Sequence, residues 1–600
     1  MEIKNKAGVL ENKKIFSQYI PLSNTLRLFL ELPDCFETIY SYYSELKKND
    51  GIIFNVVQTE FWKERSSQSN NLTFPLILYQ DDFETGNPLG SHSGVHKICA
   101  LYSTLPCIPP EFRSQVEKIF LVQLCHSDDV KFFGQDVVYR EVITELNLLA
   151  SKGIEIHVKD KTITVCFQLI LITGDNLGLN SMLGYVESFS ATYFCRMCKV
   201  SKGVSMSLCV EDKSILRTKD NYEADVAKNN VALTGIKTRC IWNSVLNYHC
   251  AACWSVDAMH DELEGSCKYE TASTLHYFIL VKKYFTLEEL NFRIKYFKFP
   301  STANVPPLIT LENLKVKQLR MSASEMKCFI MHLGLLIGDL IPQENNPHWE
   351  LHKLLRQIVS ISLQTFISSE YIDLLTSLIE EHHLLYLSLF GNTLKPKHHF
   401  MLHYPTVMQR IGPLRHIWSM RGEAKHQILK QIASMSASRV NICRTIAIKS
   451  QLQFGNMLLL GNPFAVNITY RPLKTHLPIS TNLTKYVSEN LISYTQVKSA
   501  SLASFMLKSG IILEIDFDIF PIFGLIEHVF CKSGALAKPS RDDFAIIVKV
   551  FHVVCQNDHK QSYEVYETLT HEFIKIDSTK FLKPTLMVTG SNRELYVPFH

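Results

Sequence analysis

"FPLILYQDD", Phe74 to Asp82, decides the fold. An apolar run closed by two carboxylates reads as a strand buried on both faces, with a tip that reaches solvent. "KICALYSTL" (97–105) and "KIFLVQLCH" (118–126) follow as two more strands. Next comes a helix, "GQDVVYREVITELNLLASKG" (134–153). "TITVCFQLILITGD" (162–175) is a further strand, and it too finishes on an acid, Asp175.

Three strands, a helix and another strand, with acids at the tips of the first and fourth, is the order of a ribonuclease-H-like core. The expected fold is therefore an α/β ribonuclease-H-like core interrupted by a large helical insertion, with a small all-β C-terminal domain. Its parts are a helical N-terminal module (1–73), the first part of the core (74–200), the helical insertion (201–394), the closing part of the core (395–465) and the β-rich C-terminal domain (466–600). Apolar residues at three and four spacing in "MSASEMKCFIMHLGLLIGDL" and "YIDLLTSLIEEHHLLYLSLFG" mark the insertion. "GIILEIDFDIFPIF", "FAIIVKVFHVV" and "SYEVYET" mark the terminal strands.

Six hundred residues, 46% hydrophobic, are too many for one core. A formal charge of +4 says little about partners, because a binding surface can be local while the total stays near neutral. The polar start "MEIKNKAGVLENKK" argues against secretion. "CFIMHLGLLIGDLI", from Cys328, is too short to cross a bilayer, so no membrane segment is expected. Sixteen cysteines, mostly single, suit a reduced nuclear or cytoplasmic protein.

Charge concentrates between 395 and 450. That stretch holds ten Lys or Arg, five His and one acid, Glu423. A site that cleaves or joins nucleic-acid strands needs a few carboxylates to hold hard divalent cations. Asp81 or its neighbour Asp82, with Asp175, would end adjacent strands, and Glu423 would come off a late helix beside them. Lys395, Lys397, Arg410, Arg415, Arg421, Lys425 and Lys430 would then hold phosphates around that lone acid.

"CRMC" supplies Cys195 and Cys198, half of a tetrahedral zinc site. "HHFMLH" supplies the other half, from His403 with either His399 or His398. Each pair lies the same distance along the chain from one acid, Cys195 after Asp175 and His403 before Glu423. Zinc there would clip the neck of the insertion. A second cluster, Cys250, Cys253, His249 and His260, reads as packed thiols or as another zinc site. His382 and His383 read as ordinary helix-face positions.

Three longer stretches carry a resemblance: "YQDDFETGNPLGSHSG", "GDNLGLNSMLGYVESFSATYFCRMC" and "HHFMLHYPTVMQRIGPLRHIWSMRGEAKH", joined by "VDAMHDELEG" with Asp257, Met259, His260 and Glu264. Over roughly 75–450 the chain resembles the DDE transposases of the CACTA and Transib type, and the related catalytic core of the vertebrate antigen-receptor recombinase. That resemblance implies DNA strand cleavage leaving a 3′-hydroxyl, then strand transfer. It implies Mg²⁺ or Mn²⁺ on Asp81, Asp175 and Glu423, and structural Zn²⁺ on Cys195, Cys198, His399 (or His398) and His403. The implied partners are DNA, as transposon ends and target, with a homodimer compatible with that reading.

Two departures stand out. Residues 1–73 show no DNA-binding zinc finger, so the chain also reads as a truncated or domesticated copy, whether a DNA-binding protein without activity or a zinc-stabilised protein-interaction scaffold. Gly422 replaces the bulky apolar residue that the family places before the third acid.

Overall fold

The structure is a computed structural model that describes residues 2–4, 10–12, 14–48, 51–68, 71–86, 97–300, 303–342, 345–391, 393–436, 438–464, 468–473, 493–502, 505–537, 539–576, 583–590 and 593–599. It is a mixed α/β protein that divides into two compact units, Met1–Ser266 with Gln357–Phe464 and Cys267–Arg356 with Ala465–His600. The helices of 201–394 are thus shared between both units.

In the first unit a six-stranded sheet is built from β1 (Gln18–Tyr19), β2 (Leu72–Glu84), β3 (Lys97–Thr104), β4 (Phe120–His126), β5 (Ile154–Val158) and β6 (Lys161–Thr173). Their spatial order is β1-β4-β3-β2-β6-β5. β2, β3 and β4 form an antiparallel meander, and β6 lies parallel to β2. The apolar runs explain this placement: β2 is buried from Thr73 to Gln80, and β6 from Val165 to Thr173, as expected of a central parallel pair covered on both faces. The apolar runs of both strands are read correctly in sequence, although β2 continues through Asp81 and Asp82 to Glu84, so that doublet does not stand at its tip; the edge strand β5, paired antiparallel with β6, is not read. Its alternating pattern is short and hidden behind the helix that precedes it.

The helix expected over 134–153 is interrupted. A short helix, Gln135–Val138, ends at Tyr139, whose backbone leaves the helical range, and the regular helix α2 spans only Arg140–Ser151. Glu145 on α2 accepts hydrogen bonds from the backbone N–H groups of Leu22 and Ser23. It thereby satisfies the otherwise unpaired amides at the start of α1 (Leu22–Leu30). Behind β6 follows α3 (Asn176–Met182). Later come α4 (Pro396–Met401), α5 (Tyr404–Ile411), α6 (Met420–Ser434) and α7 (Ile442–Leu459). α6 and α7 close one face of the sheet, where Leu429, Ile432, Ala433, Ile442 and Ile446 pack with Tyr79, Phe83, Ala100 and Leu121.

The second unit joins helices such as Cys267–His276 and Ala323–Ile337 to a ten-stranded antiparallel sheet centred on Pro521–Lys532, Phe544–Asn557 and Ser562–Lys575. The C-terminal region is therefore all-β, and its aromatic-rich strands bury Phe523, Phe530, Phe544 and Phe551 as core. Among the described residues, no helix is long and apolar enough to cross a membrane.

Candidate functional site

β2 and β6 bring two acids level. Tyr79 pairs with Thr173, so Asp81 and Asp175 both stand two residues beyond that pair. The doublet is resolved by the period of a strand, because successive side chains point to opposite faces. Asp81 feels the charges of Asp175 and Glu423. Asp82 turns instead to Lys97 Nζ at 3.4 Å and accepts from Gln80 Nε2 at 3.2 Å.

Burial, then the neighbouring Asp175, then Glu423 push the Asp81 carboxyl up to about 7. The Tyr79 hydroxyl donates to it at 3.2 Å, and the His426 imidazole lies 3.4 Å away. Burial holds His426 down at about 3, so this ring is neutral and leaves the negative charge uncompensated. The unfolded chain ionises Asp81 near 3.8, well below the folded value. A carboxyl shifted in that direction loses stability for the fold as pH rises from 3.8 to about 7, and the loss is complete above 7. Asp81→Asn is accordingly expected to stabilise the cation-free protein by about 2–4 kcal/mol at pH 8, and by less at pH 5, in thermal melts.

Asp175 caps α3, accepting from the Gly178 N–H at 2.5 Å. Glu423 sits in the first turn of α6, with its side chain 43% exposed, so the acid edge opens to solvent. Its Oε1 lies 3.3 Å from His260 Nε2, and His260 Nδ1 lies 2.5 Å from the buried Asp257. Burial alone would lower the His260 pKa, but Asp257 and Glu423 raise it to about 11. An imidazolium therefore links the third acid to Asp257, which also accepts from the Ser419 N–H and Oγ at 3.0 and 2.6 Å. "VDAMHDELEG" suggested importance for His260 in sequence; its partner was not legible.

Gly422 has a structural reason. A Cβ there would lie 2.2 Å from the Tyr79 ring, so α6 approaches β2 more closely than any side chain permits. Gly422→Ala is expected to lower stability by about 1–3 kcal/mol through overpacking, although Ala is the better helix former by about 1 kcal/mol. Differential scanning calorimetry reads this directly.

The thiols and imidazoles meet. Cys195, Cys198, His399 and His403 are all buried, and their ligand atoms lie within 4.8 Å of one another. Cys195 Sγ to His403 Nε2 is 3.5 Å, Cys198 Sγ to His399 Nε2 is 3.2 Å, and the two Nε2 atoms are 3.3 Å apart. A tetrahedron with bonds of about 2.0–2.3 Å has edges of about 3.3–3.8 Å, so this donor set fits zinc in size and softness. Burial would raise the Cys195 thiol, yet the hydrogen bond with Cys198 and the nearby His403 and His399 hold it well below the ordinary thiol range. Among the described residues this is the group that closes around one point; the acids do not close to that degree.

His399, not His398, is the ligand-side ring. The backbone N–H of Lys395 donates to His398 Nδ1, and the His398 ring lies among His382, His383 and Tyr386. His382 and His383, read as ordinary helix-face positions, do lie on a helix, Ser369–Phe390, and are fully buried there. Sequence reasoning missed Glu211, whose Oε1 lies 2.6 Å from His403 Nδ1 and which also accepts from the Thr406 hydroxyl. That carboxylate fixes which nitrogen His403 presents. Glu211→Gln is expected to weaken zinc binding about 10–100-fold in chelator competition.

The second cysteine cluster does not assemble. His249 turns to Asn243 at 3.3 Å and Glu223 at 3.7 Å, His260 is held by Asp257, and Cys253 meets Arg65 at 3.9 Å. The basic stretch is also partly inward. Lys397 donates to the His260 and Glu264 carbonyls, Arg410 to Ala252, and Lys425 to Val116. These three cations brace the fold, contrary to the expectation that all seven hold phosphates. Arg415 and Arg421 are half-buried, while Lys395 and Lys430 are exposed. Residues 87–94 of the quoted first motif lie outside the described residues.

The chain matches no protein-family model and no curated protein. Residue chemistry and geometry therefore carry the functional reading.

Proposed function

We propose that this protein cleaves and joins DNA strands as a DDE transposase, or derives from one, on a ribonuclease-H-like core braced by zinc. One observation carries the proposal: the register of the central strands β2 and β6 sets Asp81 and Asp175 level, and Glu423, whose charge reaches Asp81, stands half-exposed in the first turn of the helix that packs on β2. The antiparallel meander with a parallel fourth strand supports the ribonuclease-H-like reading, because it sets the first two acids side by side. Asp81, Asp175 and Glu423 would hold Mg²⁺ or Mn²⁺. Such cations supply charge stabilisation at the attacking and leaving oxygens of a phosphodiester.

The protein's own residues do the rest. His260, held by Asp257, orients Glu423. Gly422 lets α6 bring that acid down onto β2. Lys395 and Lys430, both exposed, would contact the DNA backbone, which positions without reading sequence.

Supercoiled plasmid incubated with the purified chain and Mn²⁺ tests this reading. Open circles bearing 3′-hydroxyl ends are expected, and their formation should require the cation. Salt-sensitive DNA binding without nicking would favour a domesticated DNA-binding protein. No binding at low salt would favour a zinc-stabilised interaction scaffold.

A further inference from the structure

Four side chains outside both centres each follow, in sequence, either a member of one of them or His260, the partner of Glu423. Asn176 follows Asp175, Arg196 follows Cys195, Asp261 follows His260, and Tyr404 follows His403. All four are buried, at 3%, 1%, 0% and 0% exposure. They are also bonded to one another. Arg196 Nη1 donates to Asn176 Oδ1 at 2.9 Å, Asn176 Nδ2 donates to Asp261 Oδ1 at 2.6 Å, and the Tyr404 hydroxyl donates to Asp261 Oδ2 at 3.3 Å.

The ends of this chain of bonds rest on the two halves of the Cys/His quartet. Arg196 stands between the two thiols, and its guanidinium lies 5.3 Å over the ring of Phe400, the neighbour of His399. Tyr404 opens α5 directly after His403. The middle of the chain rests on the residues beside Asp175 and His260. Arg196 Nη2 further donates to the Ser255 carbonyl at 2.6 Å, at the start of the segment carrying Asp257. At this burial a replacement partner is hard to reach, so moving one end leaves a polar group unpaired elsewhere. The network is therefore stiff.

We infer that Arg196, Asn176, Asp261 and Tyr404 form a positioning network through which metal in the Cys/His quartet sets the placement of Asp175 and, by way of His260, of Glu423. The four are positioning residues, since none stands in the acid set or the quartet, and the inference rests on the two-centre reading above.

The full chain loaded with Co²⁺ tests it, because the visible bands of tetrahedral Co²⁺ report the quartet independently of activity. Amide hydrogen exchange is followed in peptides covering 176–182 and 259–266, with the strand 98–104 as reference. Removing the metal from wild type is expected to speed exchange in both segments about tenfold and to spare the reference strand. Asn176→Leu keeps the branching of the side chain and deletes both bonds. It should speed exchange at 259–266 by about tenfold while the Co²⁺ spectrum is unchanged, and it should weaken Mn²⁺ binding, read by electron paramagnetic resonance, about tenfold. Tyr404→Phe, which loses one hydroxyl, should do the same about threefold, and it carries the test if Asn176→Leu does not fold.

Variants with intact Co²⁺ bands and wild-type exchange at 259–266 would overturn the inference. So would metal removal that loosens both segments as much in Asn176→Leu as in wild type. If wild type itself binds no Mn²⁺, the transposase reading fails, while the exchange measurements still decide the network.

Discussion

Glu423→Gln protein is expected to bind DNA with unchanged salt dependence and to nick it at least about a thousandfold more slowly than wild type. Glutamine keeps the shape of the side chain and an oxygen for His260 Nε2, now 3.3 Å from Glu423 Oε1. What it removes is one negative charge from a field that already pushes Asp81 up to about 7. A site meant to bind divalent cations needs that charge, whereas a structural ion pair between Glu423 and His260 would be nearly indifferent to its loss, as half-exposed pairs are. The substitution thus separates a metal ligand from a surface partner.

Asp82→Asn is the matching control. Its carboxylate faces Lys97 and Gln80 on the opposite side of β2, so nicking should stay within about threefold of wild type. If Asp82→Asn were inactive and Asp81→Asn active, the acid assignment would be wrong.

How far the sequence reaches depends on the range of the contact. Buried strands were legible because burial on both faces leaves an uninterrupted apolar signature, as in 74–80 and 165–173. The quartet was legible because a thiol pair and an imidazole pair, each the same distance along the chain from an acid, offered complementary halves of one site. The choice between His398 and His399 was not, since it turns on the Lys395 amide and on His382 and His383, which lie outside the motif. Gly422 looked like a defect until the Tyr79 ring appeared against it, and its contact spans two elements far apart in the chain. Glu211 and the buried Arg196 bonds carry no spacing signal at all. Charge counting overstated the exposed basic surface for the same reason, because a lysine that donates to a buried carbonyl looks identical in sequence to one in solvent.

Stripping zinc is expected to lower the melting temperature by about 5–10 °C, with the loss reversed by Zn²⁺, Co²⁺ or Cd²⁺ and unaffected by Mg²⁺. Two thiolates and two imidazoles make a soft donor set that a hard, oxygen-seeking cation does not satisfy. The size follows from linkage: free zinc at about a thousandfold over Kd stabilises the folded state by about 4 kcal/mol. Topology directs where the effect should appear. Cys198 and His399 are 201 positions apart, so a metal bound there would join segments that the rest of the unit must otherwise hold together. Cys198→Ser should reproduce the drop, and added zinc should then rescue it poorly, because a hydroxyl gives up its proton far less readily than a thiol. Were the stripped protein to melt at the zinc-loaded temperature, the quartet would be four well-packed side chains, and the two segments would be held by the ring contacts around Phe194 and Phe400 and by the buried hydrogen bonds beside them.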